Sequence, residues 1–190
     1  MPKQRLEGSK EVGENIMKRT MTPIDLVEHN FDKWIFGGIE ALAESEGVCL
    51  TFVIIACAID YLAGFNYGGD TTRHTKEAYT DFLKEYGWFI KKYNPEDVYD
   101  SLRCGLVHNF TIHEGKFSLT HKHPELHLKT HKGQIILNFE DFYGDFKRLK
   151  EEYFKKVNDS KSGKTADFMK RYETLGFLAT EEEMDRLIDL

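Results

Sequence analysis

Cysteine is scarce in this 190-residue chain: Cys49, Cys57 and Cys104 are all there is, at no spacing that closes a metal site. Two of them lie in an apolar run, which predicts reduced thiols packed in a core and a cytoplasmic setting. A signal peptide's apolar stretch is missing as well, since Met1 to Thr20 is polar and mixed in charge. The longest apolar run, Val48 to Ile59, contains Thr51 and stops at Asp60, short of the roughly 20 residues that cross a bilayer. Neither secretion nor membrane insertion is expected. Positive charge is outnumbered, with 26 Lys and Arg against 32 Asp and Glu for a net −6. Coating nucleic acid by bulk electrostatics is thereby excluded, and any such contact must be a local basic patch. Gly64 to Asp70 is glycine-rich but lacks the Gly-Lys-Ser/Thr ending of a phosphate loop and a preceding strand, so it reads as a turn. No nucleophile elbow, kinase signature, internal repeat or low-complexity tract occurs.

Aromatic residues, by contrast, are plentiful. Fourteen Phe and nine Tyr stand in a chain that is 41% hydrophobic, enough for one domain with a full core and short for two. The expected class is mainly α: a helical bundle with a small antiparallel hairpin or sheet inserted after the fourth helix. Residues 1–20 read as a flexible segment, 21–157 as the helical domain with its insertion at about 110–139, and 158–190 as a linker and C-terminal helices. Thr22-Pro23 caps a first helix reaching about Glu46, and the apolar second, about Val48 to Phe65, should run through the core. Tyr79, Phe82, Leu83, Tyr86, Phe89, Ile90 and Tyr93 keep helical spacing in a third, about Thr75 to Tyr93. Asn94-Pro95-Glu96-Asp97 starts a fourth, with an Asn cap, Pro at the first position and two acids at the positive end of the dipole. Alternation then replaces the helical period: Phe110 to His113 and Lys116 to Thr120 flank Glu114-Gly115 as one hairpin, and Leu126 to Thr130 and Gln134 to Phe139 flank Lys132-Gly133 as a second. Helices follow at about Glu140 to Val157, Ala166 to Leu175 and Glu181 to Leu190.

The stretch richest in chemistry is Arg103-Cys104-Gly105-Leu106-Val107-His108. Arginine offers a planar fork of donors suited to phosphate, and histidine trades protons near neutral pH. On a regular helix, residues five apart stand about 140° from one another, so one straight helix would not aim both at one phosphate. Either the helix ends at Val107 and frees His108, or two copies pair across a two-fold axis and share their sites. Asp60 interrupts the most apolar helix, where a carboxylate is costly unless paired. It either holds the Arg103 guanidinium or meets water at the helix end. Asp100, Cys104 and Asn109 are supporting candidates, and Tyr61 is a weaker one. A plainer reading pairs Arg103 with Asp100 or Asp60 and leaves His108 as a helix cap. Five histidines, His113, His121, His123, His127 and His131, crowd the predicted sheet and could bind zinc or nickel. A solvated strand face is the expectation there, with no metal and no cofactor. Lys116, Lys122, Lys129 and Lys132 form either a surface for RNA phosphates or an ordinary lysine-bearing edge.

The Arg-x4-His pattern at the end of a late helix, in a largely helical domain from about Thr22 to Val157, resembles the HEPN superfamily, many of whose members are metal-independent endoribonucleases. The resemblance implies a homodimer in which Arg103 and His108 form the catalytic pair. His108 would act as general acid/base and Arg103 would stabilise the phosphate, giving a 2′,3′-cyclic phosphate product. It further implies a toxin or phage-defence role, with an antitoxin as possible partner. Active members usually carry Asn, Asp or His after the arginine; here the residue is Cys104. The alternative is a non-catalytic HEPN-like module that dimerises or binds a nucleotide or protein, which Cys104 and the acidic charge favour.

Overall fold

Thr22 starts the first helix by a reciprocal cap. Its hydroxyl accepts from the Asp25 N–H at 3.1 Å while the Asp25 carboxylate accepts from the Thr22 N–H at 3.0 Å, with Pro23 in the first turn. The computed structural model describes residues 21–45, 47–110 and 115–175. The expected segment 1–20, strand residues 111–113 with His113, and the helix 181–190 lie outside the described residues. From Thr22 the chain runs as α1 (Pro23–Asn30), a π-helical stretch (Phe31–Phe36) and α2 (Gly37–Ala43). This is one helical path with the widened five-residue turn of a π-helix in its middle.

The apolar run continues past Asp60 as α3 (Val48–Tyr67), which ends on Gly68 in the left-handed region at φ 73°. By length and composition it could cross a bilayer, with a mean hydropathy of 2.2 in its most apolar window, 56% of which is buried inside the bundle. Phe52, Ile55, Ile59 and Leu62 are its sealed face. The opposite face carries Cys49, Leu50 and Cys57 into solvent. The two thiols expected in the core are therefore exposed, because among the described residues no helix covers their side of α3.

The third expected helix divides into α4 (Thr75–Lys84) and α5 (Gly87–Ile90). Tyr86 turns extended, at φ −110° and ψ 91°, just before Gly87, a residue with little helical preference. Tyr86, Phe89 and Tyr93 still bury, which the apolar pattern required. Asn94 caps the next helix as expected, its side-chain oxygen accepting from the Asp97 N–H at 3.0 Å. That helix is α6 (Pro95–Asp97), a second π-helical stretch (Val98–Leu106) and α7 (Val107–Asn109), closed by Phe110 in the left-handed region.

The inserted sheet is mixed, not antiparallel. Its strands β1 (Phe117–Thr120), β2 (Thr130–His131) and β3 (Gln134–Asn138) stand in the order β1-β3-β2, with β1 parallel to β3 and β2 antiparallel to it. Lys132 and Gly133 make the expected hairpin turn, both at positive φ (49° and 80°), the conformation that matches strand twist. In that parallel register Phe117 lies opposite Ile135 and Leu119 opposite Leu137, and Phe117 and Leu137 are set into the core. Phe110, expected in a strand, terminates the helix instead. The sheet is pinned to the bundle by a chain of hydrogen bonds in which the Tyr93 hydroxyl reaches His127 Nε2 at 3.0 Å and Asp145 at 2.7 Å, while Lys92 also holds Asp145.

Helix α8 (Phe139–Asn158) buries Phe142, Phe146, Leu149, Tyr153 and Phe154. After a short turn, α9 (Lys164–Thr174) lays Phe168 on Phe65, ring centroids 4.5 Å apart. Its approach is very close: a Cβ on Gly68 would sit 2.7 Å from the Asp167 Cα. The glycines read as a loop thus serve partly as a seat for α9.

Candidate functional site

The second π-helical stretch supplies neither of the geometries expected for Arg103 and His108. The helix does not end at Val107, and no second chain is needed to bring the pair together. A turn whose hydrogen bonds span five residues sets residues five apart near one another, and Arg103 Nη1 donates to His108 Nε2 at 3.0 Å within one subunit. Because a guanidinium has no acceptor, Nε2 must accept, which leaves the ring proton of a neutral imidazole on Nδ1. His108 itself is exposed.

Asp60 fixes the other side of the guanidinium. One carboxylate oxygen accepts from Nε at 3.1 Å and from Nη2 at 2.8 Å, with the two side chains only 20% and 23% exposed. Burial pulls the Arg103 pKa down, but the Asp60 hydrogen bond and charge more than reverse this and raise it overall. Tyr99 adds its ring beneath the guanidinium, 5.7 Å from centroid to Cζ. Asp60 is thus paired to Arg103 and does not end a helix in water. Asp100 turns away to Lys76, accepting at 2.7 Å on both oxygens. Cys104 is half-buried against the core, and Asn109 is exposed at the helix end.

Beside the pair lies a pocket of about 290 Å³, lined by Asp60, Tyr61, Thr71, Thr75, Arg103 and Arg171. Cys57 also faces it; burial pushes its thiol up, Arg103 works against that and Asp60 adds to it, so Cys57 stays a thiol at neutral pH. Arg171 and the threonines drew no attention in the sequence. The signal was indirect: glycines at 64, 68 and 69 followed by Thr71, Thr72 and Thr75 mark a place where backbones approach closely and hydroxyls gather.

The remaining candidates disperse. His121 and His123 do not share a strand face, since β1 ends at Thr120; His121 meets Glu140 and His123 meets Glu125, each at 3.1 Å. His127 is committed to Tyr93 and to the Asn138 N–H. Among the described residues no three His, Cys, Asp or Glu side chains gather as metal ligands. Lys116, Lys122, Lys129 and Lys132 are all exposed on the sheet and its connections. Compared with models of protein families, with curated proteins and with solved structures, the chain matches none of them.

Proposed function

We propose that the protein is a metal-independent endoribonuclease of HEPN type, working as a homodimer in the cytoplasm, with Arg103 and His108 as its catalytic pair. The observation that carries this reading is the 3.0 Å contact between an exposed imidazole and a guanidinium anchored by Asp60. In the reaction the ribose 2′-oxygen attacks the adjacent phosphorus, the bond to the 5′-oxygen breaks, and a 2′,3′-cyclic phosphate and a 5′-hydroxyl result. His108 releases its bond to Arg103 as substrate binds, takes the proton from the 2′-hydroxyl on the freed Nε2, and returns it to the leaving 5′-oxygen. Arg103, rigidly held, meets the charge that grows on the phosphorane oxygens. Phe110, 71% exposed two residues beyond His108, offers a ring on which a base can stack. The exposed Cys49, Leu50 and Cys57 of α3 run toward Asp60, so a second copy covering that apolar stripe brings two sites side by side. Free thiols suit a reducing compartment.

A second reading, a non-catalytic HEPN-like binding module, is favoured by one observation. All three nitrogens of Arg103 are already engaged, by Asp60 and His108. Incubation of mixed RNA with the protein in EDTA separates the two. Cleavage that yields cyclic-phosphate ends and falls by about 100-fold or more in His108→Ala and Arg103→Ala is the expected result. Equal backgrounds in all three proteins would sink the nuclease and leave the binding module.

A further inference from the structure

Arg171 is an unexplained cation. It projects from α9 onto Gly64, where a Cβ would lie 3.3 Å from its Nε, and its Nη1 donates to the Gly69 carbonyl at 2.8 Å. Nε itself is sealed from solvent with no hydrogen-bond partner among the described residues. No carboxylate pairs with the guanidinium among the described residues. Asp70, which feels its charge, gives its carboxylate to the Thr72 N–H and hydroxyl. A guanidinium held half-buried without an anion carries an uncompensated desolvation cost.

The same pocket contains a second guanidinium, Arg103, against the single carboxylate of Asp60, so its lining is net positive in a chain of net −6. Hydroxyls complete the set. Tyr61 and Thr71 make no side-chain hydrogen bond among the described residues, whereas Thr75 already donates to the Thr71 carbonyl and keeps its lone pairs. Two planar forks with hydroxyl donors between them suit a tetrahedral oxyanion with several equivalent oxygens better than a planar carboxylate. About 290 Å³ leaves room for more than the anion alone.

We propose that this pocket is a phosphate-binding site that takes a phosphomonoester group, the terminal phosphate of a nucleotide or of an RNA end, between Arg103 and Arg171. Arg171 grips the phosphate through Nη2, since Nε is sealed against α3 and Nη1 holds the Gly69 carbonyl, Thr71 and Tyr61 donate to its oxygens, and Gly64 is glycine so that the guanidinium can lie flat on α3. The site stands whether or not the protein cleaves RNA, although it shares Arg103 with the proposed catalytic pair.

Calorimetric titration with inorganic phosphate, 5′-AMP and a short RNA bearing or lacking a 3′-phosphate tests this, with the rise in Tm on adding each probe as a second readout. The expected result is saturable binding of the phosphorylated probes that raises Tm and weakens as salt rises. Affinity falls by about tenfold or more in Arg171→Gln and by a smaller factor in Thr71→Val, which leaves the backbone bonds of that turn in place. Tighter binding of phosphorylated RNA than of 5′-AMP assigns the phosphate to an RNA end, and the reverse order assigns it to a free nucleotide. An unaltered protein that binds no phosphorylated probe, or a folded Arg171→Gln that binds them undiminished, overturns the proposal even if RNA cleavage is found.

Discussion

Phe110 shows most directly how one residue trades stability for a surface. It closes the helix that carries Arg103 and His108 at φ 52°, donating its N–H to the Leu106 carbonyl at 3.1 Å. A bulky residue there is strained by about 1 kcal/mol relative to glycine, and its ring, largely in solvent, recovers little by burial. Phe110→Gly is therefore expected to raise Tm by about 2–4 °C in differential scanning calorimetry while weakening RNA binding in a filter assay. A variant that is less stable, or that binds RNA as before, would show that the ring serves the fold. Residues of this kind divide into those legible beforehand and those not. Arg103, His108 and Asp60 stood out because ionisable groups in apolar or tightly spaced settings need a reason. Arg171 did not, because its setting is created by a helix more than 100 positions away in the chain from the glycine it covers.

At the level of elements, the pH response belongs to the join between sheet and bundle. His127 Nδ1 accepts from the Asn138 N–H at 3.2 Å, and its Nε2 faces the Tyr93 hydroxyl, which itself donates to Asp145. That chain works only with a neutral ring whose proton sits on Nε2. Burial, the largest influence, lowers the His127 pKa below its ordinary 6.5, although Asp141 and Asp145 pull the other way. The unfolded chain thus takes up a proton near 6.5 that the folded one refuses until lower pH. The stabilisation is complete above 6.5 and is lost as pH falls through the folded value, with a slope of at most about 1.4 kcal/mol per pH unit. Urea unfolding between pH 7.5 and 5 measures it, and His127→Gln should flatten that part of the curve; an equal slope in the variant would assign the effect elsewhere. Caps such as Asn94 and turns such as Lys132-Gly133 were readable because each satisfies local backbone groups. The parallel partnership of β1 and β3 was not, since alternation is the same for either direction. The π-helical turn at Arg103 was hidden too, because Val98, Leu102 and Leu106 bury on it just as they would on a regular helix.

On the scale of the whole molecule, periodicity delivered a helical bundle with strands inserted after the fourth helix, but it could not say which helices cover which, and hence which face of α3 the other described elements leave exposed. The proposed dimer depends on that face, while Arg103 and His108 meet within one chain. These two statements together fix how mixed dimers must behave. If each subunit holds a complete pair, unaltered protein unfolded and refolded with an equal amount of the Arg103→Ala, His108→Ala double variant retains about half the cleavage rate, one working site per altered subunit lost. Mixing the two single variants then restores nothing, because no subunit has both groups. Were each site instead built from the arginine of one subunit and the histidine of the other, the single variants would complement to about a quarter of the full rate, and the double variant would leave only about a quarter. The intrachain hydrogen bond predicts the first pattern. The second would mean that the working pair forms across the dimer and that the contact within one chain is broken when the subunits meet.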